Sequence, residues 1–259
     1  MDIDTGCFYF DLSAYQKSDF RKYELDIFGI NAQKFPRYLK PFIQKSKKSI
    51  LESLKPIKRF KEKEFFTYDK SIENINHSIY LDGYWQSEKY FKKYENLIRD
   101  IFQFPKIKDD ENLKVANEIV NSESISIHVR HGDYLASSKT NEFHGTCGIE
   151  YYKKSIEYIT SKLENSTFFI FSDDIKWCEE KFVNVKNKTI ISHNTGLKSY
   201  EDMRLMSLCK HNIIANSSFS WWSAWLNTNP NKIVIAPKKW INDENYETPD
   251  ICPIEWMRF

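Results

Sequence analysis

The chain has 259 residues, 41% of them hydrophobic and 16% aromatic, enough for one large core or two smaller ones. Lys and Arg number 38 against 36 Asp and Glu, so the formal charge is only +2; no general electrostatic grip on nucleic acid follows, and any anion site has to be local. Five scattered cysteines without a CxxC pair argue against a disulfide framework or a zinc site and point to reduced thiols in the cytoplasm, and no apolar run has membrane-spanning length.

Residues 7–10 are expected to form a short strand and 11–15 the turn after it. Residues 31–64, rich in lysine and interrupted by Pro36, Pro41 and Pro56, read as a solvated excursion of short helices and loops. A strand is predicted over 79–85, turning at Asp82 and Gly83. Apolar residues at Tyr90, Phe91, Tyr94, Leu97, Ile98, Ile101 and Phe102 give 88–104 a helical spacing. The polar stretch 105–111 marks a boundary between an N-terminal part, 1–111, and a C-terminal part, 112–259.

From there the pattern alternates regularly. A helix over 112–121 precedes a strand in which Ile125, Ile127 and Val129 alternate with Ser124, Ser126 and His128. A helix over 149–163, a strand over 167–171, a short helix over 175–182 and a strand over 189–192 follow. A helix over 198–210 precedes a strand over 212–215, with Met203, Met206 and His211 expected on a helix as structural residues. A helix over 219–227 and a strand over 232–236 complete the series. Strands alternating with helices predict an α/β fold, a parallel sheet with helices on both faces and a Rossmann-like nucleotide-binding architecture. Neither a GxGxxG fingerprint nor a P-loop is present, so an ordinary dinucleotide or NTP site is not expected.

In such sheets ligands bind beyond the carboxyl ends of the strands. Those ends carry His128, Arg130 and Asp133; Ser172, Asp173 and Asp174; Ser192, His193 and Asn194; and Asn216, Ser217 and Ser218. The stretch around Arg130 alone also reads as a surface loop with Arg130 and Asp133 paired. The serines before the 219–227 helix read alone as plain N-caps. Together, a guanidinium and a helix start with its hydroxyls, N–H groups and dipole suit a diphosphate. Asp173 and Asp174 suit polar contacts or helix capping better than a metal, for which no third ligand is obvious. Trp221, Trp222 and Trp225 read as helix-to-sheet packing rather than a sugar platform.

Several of these stretches carry a specific resemblance: HVRHGDY at 128–134, FHGTC at 143–147 with Tyr151 and Tyr152, FSDD at 171–174, and DMRLMS at 202–207 leading to NSSFSWW at 216–222. LDGYWQ at 81–86 and IAPKKW at 235–240 extend it over nearly the whole chain. The chain resembles glycosyltransferase family 11, the bacterial-type α-1,2-fucosyltransferases. The resemblance implies inverting transfer of L-fucose from GDP-β-L-fucose to the 2-hydroxyl of a galactose-terminated glycan, without metal or other cofactor. It implies a GT-B-type fold of two Rossmann-like lobes, with the donor in the C-terminal one. Arg130 matches the arginine that contacts the donor's β-phosphate, with His128 and Asp133 as its catalytic neighbours. Asp202 matches the carboxylate facing guanine, and Asn216, Ser217 and Ser218 the phosphate-binding turn. His131, Ser172 and Asp173 join the expected donor-binding set; Glu142 and His144, with Asp133, are candidates toward the acceptor hydroxyl.

Two departures from the family pattern stand out. The family motif is His-x-Arg-Arg-Gly-Asp, and His131 stands where its second arginine would be. The family normally opens with a strand followed by a glycine-rich Gly-Gly-Leu-Gly-Asn-Gln loop and a helix, whereas this chain has only seven glycines and is expected to begin at about the next strand, with a truncated N-terminal lobe. The competing readings are a fucosyltransferase of another linkage and a non-catalytic GDP-sugar-binding protein. The expected location is the cytoplasm, at the inner face of the membrane if the acceptor is lipid-linked.

Overall fold

A computed structural model describes residues 24–30, 58–132 and 143–259, together with the backbone of 9–10 and 33–34. The chain divides into two compact units, residues 1–86 with 90–105, and residues 87–89 with 106–259. No helix among the described residues is long and apolar enough to cross a membrane.

In the first unit, strand β1 (Tyr9–Phe10) pairs in parallel with β2 (Gln33–Lys34), and β3 (Lys58–Lys61) with β4 (Ile79–Asp82). The expectation of only helices and loops over 31–64 is corrected by β2, at its start, and by β3. Its sequence, Lys-Arg-Phe-Lys, hides a strand because a single apolar residue, Phe60, gives no alternation to read. The strand is recognisable only through its partner: Arg59 Nε donates to Asp82 Oδ2 at 2.9 Å, and the Trp85 ring stacks 5.7 Å from Phe60. Strand β4 ends at Asp82, earlier than its apolar run suggests, because the buried Glu62 carboxylate captures the following turn. Its oxygens accept from Tyr84 N at 2.7 Å and Trp85 N at 3.2 Å. Gly83, at φ 158°, passes so close that an added Cβ would sit 2.4 Å from Glu62 Cβ.

The helix expected over 88–104 is broken into two 3₁₀ turns, Glu88–Tyr90 and Lys92–Tyr94, followed by α1 (Glu95–Ile101). The first turn is held elsewhere: residues 87–89 belong to the second unit, where Trp225 Nε1 donates to Glu88 Oε2 at 3.1 Å and Lys89 pairs with Asp250.

The second unit is an α/β layer structure. Helices α2 (Asp110–Val120), α3 (Ile149–Thr160), α4 (Ile175–Lys181), α5 (Ser199–Leu208) and α6 (Ser218–Leu226) surround a six-stranded sheet. Its strands are β5 (Glu123–Val129), β6 (Ser166–Ser172), β7 (Lys188–Ile191), β8 (His211–Ile213), β9 (Val234–Ala236) and β10 (Met257–Arg258). All neighbours are parallel, in the order β10-β9-β8-β5-β6-β7. Only β10, two residues long, was not foreseen. His211 opens β8, a strand rather than a helix: its Nδ1 accepts from Ile233 N at 3.0 Å, and Nε2 lies 2.9 Å from Glu123 Oε1.

Helices α2, α4 and α6 start where a short polar side chain caps them: Asp109, Asp174 and Ser217. Asp109 caps α2 by accepting from Asn112 N at 2.9 Å, with Asp110 and Glu111 in the favourable first turn. On one face of the sheet Ile125, Ile127, Val129, Phe168 and Ile170 pack on Tyr152, Ile159, Cys178 and Phe182 from α3, α4 and the residue closing α4. On the other, Phe169 and Phe171 meet Val115 and Ile119 of α2 and Leu205 and Met206 of α5. The serines of β5 are therefore as buried as its isoleucines, and each is paired: Ser126 Oγ accepts from Asn212 Nδ2 at 2.7 Å and Ser124 Oγ from Lys210 N at 3.1 Å. The polar half of the alternation lies under helices, as both faces of a parallel sheet normally do.

The strand order places the site. From β5 the chain moves outward through β6 and β7, then returns to the other side of β5 to lay down β8, β9 and β10. The loops leaving β5 and β8 thus part at a topological switch point, where parallel sheets open a crevice for ligands.

Candidate functional site

The turn after β5 is built to hold an anion, and here it holds one of the protein's own. The backbone N–H groups of His131 and Gly132 both donate to Asp173 Oδ1, at 2.9 and 3.1 Å, while Arg130 Nη1 lies 3.5 Å from Asp173 Oδ2. The approach is close enough that a Cβ at Gly132 would come 3.1 Å from the Asp173 carbonyl oxygen. Beside it, His131 Nδ1 lies 2.8 Å from Asp174 Oδ2, and the imidazole stacks on Trp177 with 4.8 Å between centroids. Asp174 also caps α4, accepting from Trp177 N at 3.0 Å, and its own N–H donates to Ser172 Oγ at 2.9 Å. The Trp177 amide, then His131, hold its carboxyl below the usual carboxylate range. Ser172, Asp173 and Asp174 thus shape the turn and cap a helix.

His128 is 4% exposed at the end of β5. Burial, with Arg130 nearby, lowers its pKa to about 3, so the ring is neutral. Its Nδ1 has no hydrogen-bond partner among the described residues, and the ring lies 5.6 Å from that of Phe219, in the first turn of α6. The central strand and α6 meet there.

After β8, Asn216 turns inward. Its Nδ2 lies within 2.9 to 3.1 Å of the carbonyl oxygens of His144, Gly145 and Trp240, and its Oδ1 accepts from Cys147 Sγ at 3.6 Å. Gly145, at φ 66°, is pressed against Asn242 with no room for a side chain. Asn216 therefore ties the 143–147 segment to the residues after β9, and His144 reaches the site through its backbone. Ser217 Oγ accepts from Phe219 N at 3.3 Å as the cap of α6, and Ser218 stands exposed at the first helical position. The tryptophans behind them pack on one another, on Trp256 and on the carbonyl of Ile251, which accepts from Trp221 Nε1 at 2.7 Å, and do not form a sugar platform.

A third group gathers past β7. Asn194 Nδ2 donates to Asp202 Oδ1 on α5 at 2.8 Å and to Asn112 Oδ1 on α2 at 2.9 Å. Burial above all, with Glu201 adding to it, raises the Asp202 carboxyl to about 7 against the opposing pull of the Asn194 hydrogen bond. Asn112, wholly buried, had no sequence signal of its own beyond its position three residues after the Asp109 cap.

The strand edge thus presents Arg130 with the 131–132 amides, the start of α6 beside His128, and Asp202. Asp133 and Glu142 lie outside the described residues. No group of three His, Cys, Asp or Glu side chains among the described residues is arranged to hold a metal ion.

Comparison with known proteins gives this edge a context. The model of glycosyl transferase family 11 matches residues 37–259. The α-1,2-colitosyltransferase of Escherichia coli is 38% identical over 231 residues, covering 86% of this chain and 75% of its own. The O-antigen biosynthesis glycosyltransferase WbnK of Escherichia coli is 34% identical over 193 residues, 71% of this chain and 63% of its own. Galactoside α-(1,2)-fucosyltransferase 1 of Oryctolagus cuniculus aligns over 105 residues at 27% identity, 39% of this chain and 28% of its own. The chain thus spans less than two thirds of the second relative and under a third of the third. With the family model reaching from residue 37 to the last residue, the chain belongs to glycosyl transferase family 11.

Proposed function

We propose that this protein transfers L-fucose from GDP-β-L-fucose to the 2-hydroxyl of a terminal galactoside, inverting the anomeric centre. The observation that carries the reading is the turn after β5, where a guanidinium and two backbone amides converge on a carboxylate at the switch point of the sheet. A group that grips a carboxylate so can grip a phosphate. Family membership and the α-1,2 linkage in the names of two relatives support the reaction class.

As the glycosidic bond breaks, positive charge grows on the sugar and negative charge on the departing diphosphate. Fixed donors aimed at that diphosphate stabilise the transition state more than the ground state. In this reading Arg130 and the Ser217–Ser218 start of α6 take that part. They are charges and dipoles supplied by the protein, so the reaction is expected to proceed in EDTA. His128, neutral in its buried seat, suits a hydrogen-bonding role on the donor rather than proton abstraction. Asp133, Glu142 and His144 remain the candidates for the acceptor proton. Asp202 is assigned to the base: a carboxylate accepts from the adjacent N–H and NH₂ groups that guanine presents. The acceptor glycan, a cytoplasmic location and an approach to the membrane through a lipid-linked acceptor belong to the same reading.

A second reading keeps the site and changes the sugar, since the relative with 38% identity is a colitosyltransferase. GDP release from GDP-fucose, followed with and without lactose in EDTA, tests the first. Lactose-dependent release supports it. Saturable donor binding without release would instead favour another sugar or a binding protein.

A further inference from the structure

Asn112 is completely buried at the start of α2, and its side-chain amide is fully used. Its Nδ2 donates to Asp109 Oδ2 at 3.1 Å and to Asn194 Oδ1 at 2.8 Å. Its Oδ1 accepts from Asn194 Nδ2 at 2.9 Å and lies 3.0 Å from His193 Nε2. The two asparagines form a reciprocal amide pair across 82 residues of sequence. Asn194, 8% exposed, directs its remaining N–H to Asp202 Oδ1 at 2.8 Å.

This arrangement has one orientation. Asp109, capping α2, demands a donor from Asn112, which turns the Asn112 oxygen toward Asn194 and His193. Asn194 must then present its NH₂ to Asn112 and Asp202 together; flipping either amide would face like groups across a buried gap. Helix α2, through two amides, thereby fixes a carboxylate on helix α5. The Asn194 bond engages Asp202 Oδ1, which leaves Oδ2 of an oriented carboxylate for a ligand.

We infer that Asn194, locked by Asn112, is the positioning residue that sets base specificity, holding Asp202 to read the paired N–H donors of a guanine base. The inference rests on the nucleotide-sugar reading above and adds to it the residues that make the base matter. A carboxylate free to rotate would accept one hydrogen bond as readily as two, and the 2-amino group would lose its weight in recognition.

Calorimetric titration of the full chain with GDP, inosine diphosphate, which lacks the 2-amino group, and pyrophosphate tests it. The wild type is expected to favour GDP over inosine diphosphate about tenfold, the loss of one charge-assisted hydrogen bond. Asn194→Ala is expected to reduce that ratio to about twofold or less while pyrophosphate affinity stays unchanged. Should Asn194→Ala lose pyrophosphate binding through misfolding, Asn194→Ser, which keeps a polar group in the gap, is read in the same way. A variant that binds pyrophosphate and keeps the wild-type ratio overturns the inference. Equal binding of GDP and inosine diphosphate by the wild type also overturns it, while leaving the donor reading in place. Failure of the wild type to bind any of the three overturns the donor reading itself.

Discussion

Two neighbouring parts of the strand edge, past β6 and past β7, treat carboxylates in opposite ways. Past β6, Asp174 is surrounded by donors, a backbone amide and an imidazole, and is held below its usual pKa. Past β7, Asp202 has one amide donor and a buried setting, and is pushed up to about 7. The same residue type is kept charged in one place and made reluctant to charge in the other. The first environment suits an anion: the turn after β5 already holds Asp173 with two N–H groups and Arg130, and a diphosphate asks for the same groups. The second suits a partner that brings its own N–H donors, because a carboxylate poor in donors gains most from acquiring them. An anionic diphosphate after β5 and a hydrogen-bond-donating base past β7 would together be the polarity of a guanine nucleotide.

The contrast can be broken from either end. The largest effect is expected from Arg130→Ala, which should lower turnover about 10²- to 10³-fold, the cost of removing a fixed donor from a departing anion, with circular dichroism unchanged. Turnover near that of the wild type would remove Arg130 from the site. At the other end, Asp202 has to be ionised to accept hydrogen bonds from the base. The affinity for GDP should therefore be constant above pH 7 and fall as pH drops through about 7, approaching tenfold per unit below it. Asp202→Asn should bind GDP more weakly and lose this dependence; a pH profile unchanged in the variant would assign the titration to another group.

Smaller effects sharpen the picture. Asp174→Ala removes the α4 cap and should cost about 1 kcal/mol in urea unfolding at neutral pH. Because the Asp174 carboxyl is lowered in the folded state, its contribution is present above its ordinary pKa and disappears as pH falls through the folded value, so wild type and variant should converge in acid. The smallest effect is expected of His131→Arg. Arginine can pair with Asp174 and stack on Trp177 as the imidazole does, while adding a permanent charge. GDP affinity should rise about two- to fivefold at low salt and the gain should fade with added salt, as for a partly exposed ion pair.

Much of the second unit could be read in the chain because apolar alternation, helical spacing and capping residues agree there. Strands β5 to β9 and helices α2 to α6 all fall within a few residues of where those patterns put them. What escaped notice was structure specified by partners rather than by pattern. Strand β3 is three charged residues around Phe60 and shows itself only when paired with β4. The 88–104 spacing is helical, yet Glu88 and Lys89 bond to Trp225 and Asp250, and the helix begins at Glu95. The residues of the strand edge could be found because polar clusters interrupt apolar strands at their carboxyl ends. Their division of labour could not, since nothing in a linear sequence says that Asp173 would turn back on the 131–132 amides, that Asn216 would face inward, or that Asn112 would reach Asn194.

The central claim is that the turn after β5, with Arg130, receives the donor's diphosphate. Calorimetric titration of wild type and Arg130→Ala with GDP and with guanosine tests it most directly. The account predicts that the variant loses about ten- to a hundredfold in affinity for GDP, one charge-assisted contact or two, and keeps its affinity for guanosine. Equal affinity of the two proteins for GDP would contradict it.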